Sequence, residues 1–153
     1  MPDNCAAEEF SGAKAQAAFQ EIEALCIDLV GLKLFTCSIF DMEYGVARRV
    51  YSNDPTAYPV SGLKEITPNR WTRHVIEKGQ PFLAKTVEEL RDVFPDHEKI
   101  EALGLGATIN LPVVLPDGRL VTLNLLDRDG AYDEASVALL GQNIENFSIP
   151  STH

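Results

Sequence analysis

Ala107-Thr108-Ile109-Asn110-Leu111-Pro112-Val113-Val114-Leu115-Pro116-Asp117-Gly118-Arg119-Leu120-Val121-Thr122-Leu123-Asn124-Leu125-Leu126-Asp127 is the stretch whose reading decides the fold. Ile109, Leu111, Val113 and Leu115 recur at every second position, the period at which strand side chains return to one face. Pro116-Asp117-Gly118 is a tight-turn sequence, and Leu120 to Leu126 carries the chain back. The stretch therefore predicts a β-hairpin. The same alternation puts Thr108 and Asn110 on one face of the first strand, and Thr122 and Asn124 on one face of the second. Each asparagine interrupts an apolar strand. A buried amide must find partners in the protein, in water or in a ligand, so Asn110 and Asn124 either pair internally or meet a bound molecule.

Upstream, Phe19, Ile22, Cys26 and Leu29 recur at helical spacing between Ala13 and Val30, with Gln20, Glu21, Glu23 and Asp28 opposite. Gly31 suits the position after that helix, where positive φ is needed. Leu32 to Phe40 reads as a strand, Asp41 to Gly45 as a turn, and Val46 to Tyr51 as the hairpin partner. Ser52 to Glu65 is a long loop with two prolines, a length often tied to function. Thr67-Pro68 predicts a helix start closed by Gly79, Thr86 to Glu89 a capping box, and Asp96 the cap of a short helix ending near Gly104. Pro81 to Lys85 reads as a short strand. Downstream, Asp133 caps a helix with Val137, Leu140, Ile144 and Phe147 on one face, ended by Pro150.

These elements predict one α+β domain over residues 10–149, with tails at 1–9 and 150–153. A central antiparallel sheet carries the terminal helices on one face and the loops and short helices on the other. The chain has 153 residues, enough to bury about two-thirds of its unfolded surface without disulfide or metal. With 13 Lys+Arg against 23 Asp+Glu the net charge is −10, which argues against nucleic acid or an anionic membrane as partner. No stretch reaches the ~20 apolar residues of a membrane span, and the N-terminus has no export signal. Cys5, Cys26 and Cys37 form neither a C-x-x-C pair nor a metal pattern. A cytoplasmic protein with reduced thiols is expected.

The order of elements and three local patterns resemble the GAF domain over roughly Phe10 to Phe147. Trp71-Thr72-Arg73-His74-Val75-Ile76-Glu77-Lys78-Gly79-Gln80-Pro81 looks like that family's helix ending in G-x-P. Ile109 to Val113 with Val121 to Leu125 looks like its paired strands, and Tyr132-Asp133-Glu134 like the entry to its closing helix. Val121 departs from the pattern, where glycine is usual. The resemblance implies a GAF-like, PAS-related sheet with a small-molecule pocket between sheet and middle loops. It also implies a homodimer built from the N- and C-terminal helices. Such domains usually adjoin an output module, so output here is expected from a separate partner.

Chemical signatures within that family are not met. The free methionine-(R)-sulfoxide reductases need cysteines around the middle loops, since a thiolate must attack and a second thiol resolve. Residues 55–127 contain none, and the acidic pocket positions match Thr108 and Asn124. Cys37 remains a lone thiol. The cyclic-nucleotide signature fails at Leu125, which stands where lysine should follow Asn124, and the bilin-bearing cysteine is absent. Asp96-His97-Glu98 points to different helix faces and reads as a solvated helix start rather than a metal site. No catalytic residue, metal ligand or identifiable cofactor emerges.

The candidate ligand-binding residues are Tyr58 and Lys64 in the long loop, Trp71 at the start of the middle helix, and Thr108, Asn110, Thr122 and Asn124 on the hairpin. Trp71 either seals the core or stacks on a ligand. Arg48, Arg49 and Arg73 could hold a carboxylate; for Arg48 and Arg49 a rim salt bridge is the expectation.

Overall fold

In the computed structural model, which describes residues 10–60, 64–115 and 118–144, the chain runs α1 (Ala13–Leu29), β1 (Leu34–Asp41), β2 (Val46–Ser52), β3 (Lys64–Glu65), a π-helical turn (Thr72–Glu77), β4 (Phe82–Ala84), a 3-10 turn (Val87–Leu90), α2 (His97–Ala102), β5 (Ala107–Val114), β6 (Leu120–Asp127) and α3 (Glu134–Ile144). The strands form one six-stranded sheet in the order β3-β2-β1-β6-β5-β4. Every described pairing is antiparallel. Cys5, the Pro116-Asp117 turn pair, Phe147 and Pro150 lie outside the described residues.

The quoted hairpin forms as its alternation requires. Asn110 faces Asn124 across β5 and β6, and Asn124 faces Thr36 across β6 and β1. Odd-numbered residues of these strands, including Phe35, Cys37, Ile39, Ile109, Val121, Leu123 and Leu125, join Phe19, Ile22 and Cys26 of α1 and Leu140 and Ile144 of α3 in one core. Even-numbered residues face the middle segment, where Trp71, Val75, Leu90, Ile100, Phe40 and Leu126 make a second core. Each large apolar side chain fully buried contributes roughly 1.5–3 kcal/mol. The helix-side core holds most of the fully buried ones, so that side carries the fold and leaves the opposite face free to hold polar groups.

Several helix boundaries have causes that differ from the expected ones. The helix after the long loop is capped by Asn69, not Thr67. The Asn69 side chain accepts from Thr72 N–H at 2.9 Å, and Thr72 Oγ1 accepts from Asn69 N–H at 2.8 Å, a reciprocal capping arrangement. Gly79 closes it with φ 64°. Thr86 makes no side-chain cap bond; the Val87 N–H goes instead to Asp129 Oδ1 at 3.0 Å. The Asp133 carboxylate caps α3 as expected, accepting from Ser136 N–H at 3.0 Å. The long loop ends in a strand the sequence did not announce, β3, paired with β2 at its outer edge. Among the described residues no helix is long and apolar enough to cross a membrane.

Candidate functional site

Between the even-numbered face of the sheet and the middle segment lies a cavity of about 200 Å³. Its floor is built by register. Thr36, Asn124 and Asn110 lie in one row across β1, β6 and β5, and Arg49, Ser38 and Thr122 in the next, across β2, β1 and β6. Apolar rows flank this polar band, with Leu34 and Leu126 at one end and Phe40 at the other. The opposite wall comes from Tyr58, Trp71, Phe94, Asp96 and Ile100.

The first row is a directed hydrogen-bond relay. Trp71 Nε1 donates to Asn110 Oδ1 at 2.9 Å, Asn110 Nδ2 to Asn124 Oδ1 at 2.7 Å, and Asn124 Nδ2 to Thr36 Oγ1 at 3.2 Å. The asparagines thus pair with each other while also lining the cavity. Trp71 both seals and lines: it is 8% exposed, and its ring lies 5.9 Å from Phe40 and 6.0 Å from Phe94. Thr108 Oγ1 donates to the Gly106 carbonyl at 3.2 Å. Thr122 Oγ1 is buried without a hydrogen-bond partner.

At the mouth, the Tyr58 hydroxyl donates to Asp96 Oδ2 at 2.8 Å. The Asp96 carboxylate therefore closes the loop against α2 and makes no side-chain cap bond. Burial, then the charge and hydrogen bond of Asp96, raise the Tyr58 phenol above its ordinary range, against the pull of Arg49. Two cations flank the same ring: the Arg49 guanidinium at 5.0 Å and Lys99 Nζ at 4.3 Å from its centroid. Arg49 Nη1 also donates to the Pro59 carbonyl at 2.9 Å, and Lys99 to that of Ala57. Burial lowers the Arg49 pKa from its ordinary value, opposed by Tyr58 and Asp96; a guanidinium stays charged under such a shift.

The structure gathers Tyr58, Trp71, Thr108, Asn110, Thr122 and Asn124 around this cavity. Lys64 is not among its lining residues; it lies exposed on the edge strand β3, opposite Ala47. Thr36, Ser38, Arg49 and Asp96 are lining residues that the reading of the sequence did not place there. Thr36 and Ser38 had a signal, since they alternate with Phe35, Cys37 and Ile39. Arg49 had none. A bulge between Cys37 and Ser38 brings Arg49, rather than Val50, opposite Ser38, which re-aims the guanidinium from the helix side to the cavity. Arg48 stays on the helix side, level with Ile39, and Arg73 is exposed.

Cys37 points away from the cavity into the helix-side core. Burial, with Cys26 and Glu23 nearby, holds its thiol well above the ordinary 9.0, and burial pushes Cys26 to about 12. Neither is poised as a nucleophile. Among the described residues no group of His, Cys, Asp or Glu could hold a metal ion.

An antiparallel sheet with terminal helices on one face and a polar-floored cavity on the other defines an architecture of the α+β class. The particular fold is that of GAF domains. The chain is similar to the GAF domain/HD domain protein of Geobacter sulfurreducens, with TM-score 0.67 and 11% identity over 86% of this chain and 87% of that one. It is also similar to the GAF domain of a two-component sensor histidine kinase from Bacillus halodurans (TM-score 0.60, 15% identity, 85% and 90% covered). A red/green cyanobacteriochrome in its red-light-absorbing state aligns with TM-score 0.67 and 14% identity, over 88% and 92%. No protein-family model and no curated protein sequence matches the chain.

Proposed function

We propose that this chain is a small-molecule-binding regulatory module that passes occupancy of its cavity to a second copy or to a separate output partner. The observation carrying this reading is the polar band on the cavity floor: Asn110, Asn124, Thr36, Ser38 and Thr122 face it between flanking leucines and aromatics, with Arg49 and Asp96 also in the lining. A cavity serving packing alone would be lined by apolar groups and filled by them. Convergent polar groups on an apolar wall are the usual composition of a ligand site. The sensor histidine kinase from which one similar GAF domain comes supports a signalling role.

Occupancy acts by differential affinity for two states. The Tyr58 loop meets Asp96, the residue that precedes α2, so a bound molecule biases the loop and α2 together. Homodimerisation through α1 and α3 belongs to the same proposal: Ile27 and Leu139 are exposed apolar residues on those helices. A cytoplasmic setting accords with Cys26 and Cys37 being free thiols.

The decisive experiment is native mass spectrometry of freshly purified protein, followed by thermal-shift screening of small metabolites. A retained or stabilising small molecule supports the reading, with stabilisation growing as RT ln(1 + [L]/Kd). If no compound binds and Thr36→Leu, which fills the floor, leaves signalling by the native partner intact, the module is a ligand-free interaction domain instead.

A further inference from the structure

The two polar rows of the cavity floor differ in their chemistry. In the row of Thr36, Asn124 and Asn110, each amide oxygen already accepts an internal hydrogen bond, and the relay runs from Trp71 to Thr36. The adjoining row has another chemistry. Arg49, Ser38 and Thr122 stand side by side in register, at the ~5 Å spacing of neighbouring strands. Thr122 is 1% exposed and its hydroxyl has no partner. Its neighbour across β5 is Pro112. Buried hydroxyls are rarely left unmatched, and this one belongs to the cavity lining.

One guanidinium and two hydroxyls in a line make a donor-rich strip, whose chemical complement is a planar oxyanion with two acceptor atoms. Arg49 presents its charge to the cavity while also holding Pro59 and lying over Tyr58. Asp96 is the sole acidic residue among the described lining groups; its Oδ2 accepts the Tyr58 hydroxyl hydrogen bond, and its charge also acts on Arg49. Across from the strip, Trp71, Phe94 and Ile100 form an apolar surface. At about 200 Å³ the space is smaller than the roughly 300–1,000 Å³ of sites for drug-sized molecules.

We infer that the cavity receives a compact monocarboxylate with an apolar body, the carboxylate held by Arg49 and the Ser38 and Thr122 hydroxyls, the body against Trp71 and Phe94. This assignment rests on the small-molecule reading of the site and names its ligand class.

The test uses the full chain with benzoate as probe, and benzamide and benzylamine as neutral and cationic counterparts of the same shape, read by isothermal titration calorimetry and amide chemical shifts. Benzoate binds at least about tenfold more tightly than benzamide, the increment of a charge-assisted hydrogen bond, and benzylamine does not bind. Arg49→Gln weakens benzoate by about tenfold or more, Arg49→Lys retains part of the affinity, and Thr122→Val weakens benzoate with less effect on benzamide. Circular dichroism verifies folding. Should Arg49→Gln not fold, the benzoate–benzamide ratio and Thr122→Val decide. Equal affinity for benzoate and benzamide, no binding of benzoate, or indifference to both substitutions overturns the assignment. If benzoate fails while native mass spectrometry shows a neutral or cationic molecule retained, the carboxylate assignment falls and the small-molecule reading stands. Failure of every ligand sinks both.

Discussion

Asn110 is the residue through which the cavity wall and the core are joined. It accepts from Trp71 and donates to Asn124, so Asn110→Ala strands a buried indole N–H and an amide oxygen at once. Each orphaned group costs roughly 1–3 kcal/mol, and urea denaturation of N110A should show a loss on the order of 3 kcal/mol. Because Asn124 is its partner, N110A/N124A should lose less than the sum of the single losses; strict additivity would show that the bond does not form in solution. At the same scale, alkali tests the buried thiols. The Cys26 pKa is raised from 9.0 to about 12, and Cys37 is raised well above the same value. Above pH 9 the unfolded chain loses those protons before the folded one does. The folded state then binds more protons, and stability falls with rising pH. The slope is at most about 1.4 kcal/mol per pH unit for each thiol. Tyr51, Tyr58 and Tyr132, all raised chiefly by burial, act with the same sign. Denaturant midpoints at pH 8 and pH 10 check this, with a flat profile counting against it.

Local chemistry sets the elements where it is dense, and distant residues set them elsewhere. The two hairpins, α1 with Gly31 behind it, and α3 with Asp133 before it were legible because strand alternation, helical spacing and capping residues agree within a few positions. Cap partners that come from afar were not legible. Val87 takes its acceptor from Asp129, 42 residues on, and Asp96 is drawn to Tyr58 from a loop 38 residues back. Nor does propensity announce β3, two residues held only by pairing with β2. Of the site, the hairpin's Thr108, Asn110, Thr122 and Asn124 were readable from period two. Arg49 was not, since an unbulged strand places it on the face of Tyr51. The Asp129 contact carries its own prediction. Gly106 lies so close to the Asp129 carboxylate and to Val87 N that an added Cβ would displace them. Gly106→Ala should therefore cost roughly 1–3 kcal/mol. In G106A/D129A the clash with the carboxylate disappears, leaving the lost Val87 bond and the close approach to the Val87 nitrogen. If the double variant is no more stable than G106A, the clash is not the cause.

At the scale of the whole molecule, one sheet separates two cores with different duties. The helix-side core of Phe19, Ile22, Cys26, Leu123, Leu140 and Ile144 is apolar and closed. The opposite face keeps a polar-floored space of about 200 Å³ under a loop fixed mainly by Tyr58, Arg49 and Lys99. Opening free energies follow buried contacts and shared backbone bonds. Hydrogen exchange should thus be slowest in β1, β5 and β6; β2 also lies between two strands, but β3 covers only its Val46 and Ala47. It should be faster in residues 53–60, which have few backbone bonds of their own. A molecule entering the cavity must touch the sheet floor and that loop before it can influence α1 or α3. Adding a ligand at saturation should accordingly slow exchange first in residues 53–60, in Thr72–Glu77 and in α2, with α1 and α3 changing only as the dimer changes. The two effects separate by dilution, because protection arising from self-association fades with protein concentration while ligand protection at saturation does not. Protection appearing first on α1 and α3 and surviving dilution would place the binding site on the helical face, and the cavity would then be an incidental gap between two cores.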